Sequence, residues 1–113
     1  MKYLKNFNES LLYEEKPIDD LEFLHEIPMS PYEKKEILKF FKIELPSFRI
    51  EEAGKIHWRI ISKVENYVAG LFSKVDDDWF YVQLFLSDDV EILYKCDDLI
   101  GIKKLLKDKE NLF

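Results

Sequence analysis

Residues 78–86 of this chain read DWFYVQLFL, and their side chains alternate in character with a period of two. Successive side chains of a β-strand point to opposite faces of the sheet. One face of this strand is wholly apolar and consists of Phe80, Val82, Leu84 and Leu86. The other is aromatic and amphipathic and consists of Trp79, Tyr81, Gln83 and Phe85. The pattern therefore predicts a strand with one buried face, whose second face suits another packed layer or a recognition surface.

The chain on either side of this stretch predicts two more strands. Residues 66–75 (NYVAGLFSKV) precede it, and residues 90–95 (VEILYK) follow it. Aspartates at 76–78 and 88–89 indicate the turns, because Asp tolerates turn geometry and its side chain bonds nearby backbone N–H groups. Such short connections predict an antiparallel meander.

Residues 47–64 are compatible with either a strand or a helix. Their apolar residues alternate in part, but another subset also falls on one helical face. The β-branched residues and Gly54 favour a strand over about 55–63, with a shorter one over 47–51.

Helix signals flank the predicted sheet. Ser30, Pro31 and Glu33 form a capping box with proline at the first helical position, which predicts a helix over about 31–43. Apolar residues spaced by three predict an earlier helix over 17–29.

A third helix is predicted at the C-terminal end of the chain, capped by Asp97 or Asp98, with its lysines late in the helix as the dipole prefers. The predicted fold is α+β: N-terminal helices, an antiparallel meander of three to five strands, and a C-terminal helix packed on one sheet face. The length of 113 residues fits one domain. Residues 1–16 have no clear period and are predicted to be a partly ordered arm, and residues 17–113 a single domain.

The net charge of −6 is unevenly distributed. Residues 65–98 contain nine acidic and two basic residues, a net charge of −7, so the rest of the chain carries +1. This balance argues against binding to duplex DNA or an anionic membrane through neutralised phosphates. It fits a protein partner with a basic surface, although acidity can also serve only to keep a small domain soluble.

Several functional classes have no support in the composition. Three glycines are too few and too scattered for a phosphate-binding loop, and no cofactor is predicted. The single cysteine, Cys96, cannot form an internal disulfide. No signal peptide and no membrane-spanning apolar run is visible, so we expect a cytoplasmic protein.

The predicted site is the aromatic face of the central strand, used to bind a partner protein. Aromatic anchors with charges at the edge are typical of interfaces. The predicted anchors are Trp79, Tyr81 and Phe85. The predicted acidic rim is Asp76, Asp77, Asp78, Asp88 and Asp89. Alternatively, the arm, the first helix or residues 47–64 cover this face, or a symmetric dimer forms through it.

Other chemistries have weaker signals. Cys96 with His25 or His57 would make a small thiol enzyme, since a helix N-terminus lowers a thiol pKa, yet cysteine is also a common buried residue. The histidine and cysteine spacing makes no zinc pattern, and Asp76–Asp78 fit a turn better than a calcium site. Stacking of single-stranded nucleic acid on the aromatic face is opposed by the acidity of the same strands.

Three segments resemble short uncharacterised accessory proteins of large tailed bacteriophages. These are residues 1–10 (MKYLKNFNES), residues 77–82 (DDWFYV), and residues 94–99 (YKCDDL) with the later Leu105-Leu106 pair. The resemblance implies a phage-encoded inhibitor that occludes a host defence factor in the host cytoplasm, as anti-CRISPR proteins do. It implies no catalytic residues. A bacterial immunity-type or structural protein is the alternative.

Overall fold

The computed structural model describes residues 12–16, 26–64, 66–75, 79–86 and 90–110. These residues form an α+β fold dominated by its sheet. In chain order its elements are β1 (Tyr13–Lys16), β2 (Glu26–Ile27), α1 (Pro31–Glu44), β3 (Phe48–Ala53), β4 (His57–Ser62), β5 (Tyr67–Val75), β6 (Trp79–Leu86), β7 (Val90–Cys96) and α2 (Leu99–Asp108).

The seven strands of the described residues form one antiparallel sheet, six of them in the order β1-β7-β6-β5-β4-β3 and the seventh, β2, beside β5. Strands β3 to β7 follow one another as the predicted meander. β1 adds to the outer edge of β7, and β2 pairs with β5 beyond the end of β4. β1 therefore extends the meander beyond its last strand, whereas β2 lies alongside β5 within the meander.

The strongest local predictions are confirmed. The alternating stretch forms a strand, β6, over residues 79–86, and residues 47–64 form β3 and β4 rather than a helix. The Ser30 hydroxyl accepts a hydrogen bond from the Glu33 N–H, while the Glu33 carboxylate accepts one from the Ser30 N–H at 2.9 Å. Asp98 caps α2 by accepting hydrogen bonds from the N–H groups of the first turn.

Two predictions need correction. The helix predicted over residues 17–29 does not reach its predicted end, because Glu26 and Ile27 form β2 and pair with Val75 and Lys74. Residues 17–25 lie outside the described part of the chain. Ile27 precedes Pro28, and a residue before proline is disfavoured in the helical region. The meander β3–β7 has five strands, within the predicted three to five, but the sheet of the described residues has seven, because β1 and β2 join it and are too short to show a period of their own.

The two helices of the described ranges pack on one face of the sheet, which we call the helix face. Its centre is Phe72, which is 1% exposed. The Phe72 ring stacks on Phe41 of α1 at 5.9 Å and on Trp58 at 6.2 Å, and meets Phe80 edge-on at 6.1 Å. Other members of this core are Ile60, Val82, Leu84, Tyr94 and Cys96 from the sheet and Ile37, Ile102, Leu105 and Leu106 from the helices.

Register defines the other side of the sheet, which we call the opposite face. Val82 pairs with Phe72 on one side and Tyr94 on the other, and all three side chains lie on the helix face. Because side chains alternate along a strand, the neighbours of these residues in β5, β6 and β7 point away from the helices. They are Leu71, Ser73 and Val75 of β5, Trp79, Tyr81, Gln83 and Phe85 of β6, and Leu93 and Lys95 of β7. Of the helices in the described residues, neither is long and apolar enough to cross a membrane.

Candidate binding face

A small apolar cluster occupies the centre of the opposite face. Val75, Tyr81 and Leu93 are its buried members, and Trp79 packs against them. The rings of Trp79 and Tyr81 lie 5.3 Å apart at 50°. The Lys95 ammonium lies 4.7 Å from the centre of the Trp79 ring, within the range of a cation–π contact. Trp79 is thus held between an aromatic neighbour and a cation.

The three predicted anchors differ in their exposure. Tyr81 is only 6% exposed, so it belongs to the cluster as a packed residue. Trp79 and Phe85 are half-buried and keep part of their surface accessible. Trp79 also borders a cavity of about 480 Å³ at the strand ends, together with Lys95 and Asp97. The accessible aromatic surface therefore lies at the two ends of β6.

The predicted acidic rim falls outside the described residues. Asp76, Asp77 and Asp78 lie between β5 and β6 in the chain, and Asp88 and Asp89 lie between β6 and β7. Their role as a rim stays a prediction. The described part of the opposite face carries charges of both signs, with Glu91 and Lys95 on β7 and Glu14 and Lys16 on β1.

A polar group beside the apolar cluster was missed by the sequence reasoning. The Ser73 hydroxyl donates a hydrogen bond of 2.5 Å to Oε2 of Glu26. The His57 Nε2 atom lies 2.8 Å from the same oxygen. Glu26 therefore joins β2 to β4 and β5, at the point where β2 and β4 meet along one edge of β5. The Glu26 carboxylate lies between Ser73 and His57, and the imidazole contacts the carboxylate, not the serine hydroxyl. In a catalytic triad the histidine contacts the serine, so this group does not have the arrangement of a serine nucleophile activated by histidine.

This group opens onto a cavity of about 190 Å³ on the opposite face. Its polar lining comes from Glu26, His57, Ser73 and Gln83, and its apolar lining includes Leu71, Tyr81 and Leu93. The Gln83 amide donates to Oε2 of Glu91 at 3.1 Å, which fixes its orientation. Tyr81 belongs to both the apolar cluster and the cavity wall, so the two are continuous.

Part of this site carried a sequence signal. In the strand predicted over 55–63, the side chains of His57 and Trp58 must point to opposite faces of the sheet. In β5, Ser73 is a polar residue between the apolar Leu71 and Val75 on the same side of the strand. Glu26 carried none, because it fell within the helix predicted over 17–29. Only the pairing of β2 with β5 brings its carboxylate beside the other two side chains.

Cys96 and His57 lie on opposite faces of the sheet. Cys96 pairs with Phe80 on the helix face and is fully buried, whereas the His57 side chain contacts Glu26 on the opposite face. Burial raises the pKa of the Cys96 thiol, with a smaller contribution from Asp97 and Asp98. A thiol in this setting is protonated and out of reach of the imidazole. His25 lies outside the described residues.

Neither a metal site nor a similar protein points to a function for this face. Within the described ranges, no three His, Cys, Asp or Glu side chains form a group that could hold a metal ion. No protein-family model matches the chain, and neither a curated protein nor a solved structure matches it.

Proposed function

We propose that this chain is a non-enzymatic module that binds a partner protein through the opposite face of its sheet. The observation that carries the proposal is the asymmetry of the two faces. Among the described residues, both helices pack on the helix face, whereas the opposite face combines an apolar cluster with two half-buried aromatic side chains, Trp79 and Phe85. Tyr81 supports Trp79 from within the cluster.

The composition of this face favours a protein over a nucleic acid. Partly exposed tryptophan and phenylalanine side chains around a buried apolar centre are typical of interface hot spots. Single-strand binders also stack bases on aromatic rings, but they line their grooves with cations that follow the backbone. Here the Lys95 ammonium already contacts the Trp79 ring, and residues 65–98 carry a net charge of −7, which opposes binding of a phosphate backbone.

The charge distribution also suggests the nature of the partner. Aspartates precede and follow β6 in the sequence, so a partner with a basic surface would be attracted to both ends of the strand. Such attraction weakens as salt shortens the range of electrostatic forces. The sequence resemblance to phage accessory proteins makes a host factor the partner to seek first, with occlusion of that factor as the proposed outcome.

The test compares the wild-type chain with a Trp79→Ala/Phe85→Ala variant, each immobilised and exposed to nuclease-treated host lysate. Tyr32→Ala is the matched control, because Tyr32 is an aromatic residue on α1 and is 71% exposed. We expect one protein to be retained by the wild type and the control and lost with the double variant. Calorimetry with that purified protein should then show a loss of affinity of about 30-fold or more.

Two results would contradict the proposal. Equal retention by all three chains, with circular dichroism showing that each is folded, would remove the aromatic residues from the interface. Retention of nucleic acid in place of protein, when nuclease is omitted, would favour the stacking alternative.

A further inference from the structure

The geometry points to the cavity beside Glu26 as a pocket for an arginine side chain of the partner. This inference rests on the proposed function, because it names the chemistry by which the opposite face would recognise a protein. It draws on residues other than Trp79 and Phe85, and so it can be tested separately from them.

The charge of the cavity favours a cation. Of the described residues that line it, only Glu26 has a carboxylate, and that side chain is half-buried. The contacts from Ser73 and His57 both go to Oε2. Within the described part of the chain, Oε1 makes no hydrogen bond. A partly desolvated carboxylate with one oxygen held in place is a strong acceptor for a cationic donor.

A second acceptor lies in the same lining. Gln83 uses its amide nitrogen in the hydrogen bond to Glu91, which leaves its carbonyl oxygen as the atom to be satisfied. A guanidinium presents several N–H donors in one plane and can donate to two acceptors at once. An ammonium is a point charge with no such planar arrangement. Two acceptors, Glu26 and Gln83, on separate strands therefore favour arginine over lysine.

The walls suit the rest of an arginine side chain. Leu71, Tyr81 and Leu93 offer apolar surface for its methylene stem, while its charged end meets Glu26. The volume of about 190 Å³ is below the roughly 300 Å³ at which pockets for drug-sized ligands begin. The cavity thus fits a single side chain better than a whole small-molecule substrate, and through Tyr81 it continues into the proposed anchor surface.

The experiment titrates ¹⁵N-labelled protein with N-acetyl-arginine amide and follows the backbone amides by NMR. N-acetyl-citrulline amide has nearly the same shape without the charge, and N-acetyl-lysine amide has the charge without the planar group. For the arginine probe we expect saturable shifts centred on residues 71–73, 81–83 and 93, with a dissociation constant of about 1–10 mM. Citrulline should bind at least about tenfold more weakly.

Glu26→Gln removes the charge and keeps the shape, and it should weaken the arginine probe by about tenfold or more. Glu14→Gln is the matched control, because it removes the same charge from β1 on the same face, where Glu14 pairs with Lys16 at 2.9 Å. Leu71→Trp is the second variant, since it fills the cavity while leaving the carboxylate in place. If either variant fails to fold, the comparison of arginine with citrulline on the wild type still decides.

Shifts of equal size with citrulline, or equal binding of the lysine probe, would overturn the arginine assignment. So would saturable binding that survives Glu26→Gln and Leu71→Trp. If the partner still needs Trp79 and Phe85 but the arginine probe does not bind, the pocket assignment fails and the proposed function stands. If the probe binds as expected but the aromatic variants retain every partner, the proposed anchors fail and the pocket stands.

Discussion

The two faces of the sheet use apolar side chains in different ways. On the helix face they are continuous across the strands and meet the two helices, with the Phe72 ring stacked on those of Phe41 and Trp58. On the opposite face they are interrupted by polar and charged residues, among them Ser73 and Gln83, and two aromatic side chains, Trp79 and Phe85, remain partly accessible. The helix face therefore accounts for most of the burial that stabilises the fold, while the opposite face keeps groups that can contact another molecule.

The largest expected difference between the faces concerns two phenylalanines. Phe72→Ala should lower the free energy of unfolding by about 3–5 kcal/mol, because it empties the centre of a core that has little room to collapse. Phe85→Ala should cost about 1 kcal/mol, because that side chain is only half-buried. Urea denaturation followed by circular dichroism measures both values. Equal losses in the two variants would mean that the two faces contribute equally to the burial that stabilises the fold.

A glycine at the junction of β1 and α2 gives the next largest effect. A Cβ at Gly101 would collide with the Leu12 carbonyl oxygen and lie 3.2 Å from Cβ of Cys96. Gly101→Ala should therefore destabilise the fold by about 1–3 kcal/mol, although alanine in an unobstructed helix would stabilise it by up to about 1 kcal/mol. The sign of the change thus tests the close contact directly. Ile100→Ala is the control, because Ile100 is 50% exposed in the same helix.

The sequence could predict those parts of the fold that are fixed by local signals. The alternation in residues 78–86 predicted β6 because a half-buried strand imposes it. The capping box at Ser30 predicted the start of α1, since the first backbone N–H groups of a helix need acceptors. Residues 47–64 had mixed signals, and the β-branched residues gave the better guide.

Other parts depend on partners distant in the chain. β1 pairs with β7, about eighty residues away, and β2 pairs with β5 over only two residues. Segments this short cannot show a period, so tertiary pairing alone makes them strands. The same holds for the Glu26, His57 and Ser73 group, whose members come from three strands and lie together only once the sheet has formed. The aromatic face was predicted, but the burial of Tyr81 within it was not.

On the opposite face we expect a small energetic coupling between Trp79 and Lys95. A cation–π contact at a partly exposed site contributes about 0.5–1 kcal/mol. A double-mutant cycle with Trp79→Ala and Lys95→Met, measured by urea denaturation, should give a coupling of that size. The Lys109 ammonium over Tyr94, at 5.8 Å, is the comparison pair and should show a weaker coupling. A coupling of zero for Trp79 and Lys95 would mean that the contact does not hold the ring in place.

The smallest effect is expected at the edge of the helix face, where the hydrogen-bonding groups are exposed. Their exposure makes the contribution to the free energy of unfolding small, although they lie on the same side of the sheet as the main core. The Tyr13 hydroxyl donates a hydrogen bond of 2.6 Å to Asp108, and this bond is the main reason that the pKa of the Asp108 carboxyl lies below its ordinary value of 3.8. Because the pKa is lowered on folding, the stabilisation is fully present above pH 3.8 and is lost as the pH falls through the folded value. Tyr13→Phe should therefore cost about 0.5 kcal/mol at pH 7, since the pair is exposed, and the difference from wild type should shrink below pH 3.8. Urea denaturation of both chains between pH 7 and pH 3 measures this difference in the free energy of unfolding. Tyr32→Phe is the control, because it removes a hydroxyl that bonds Glu36 within α1. A difference that grows towards acid pH would show that the link from β1 to α2 does not depend on the ionised carboxylate.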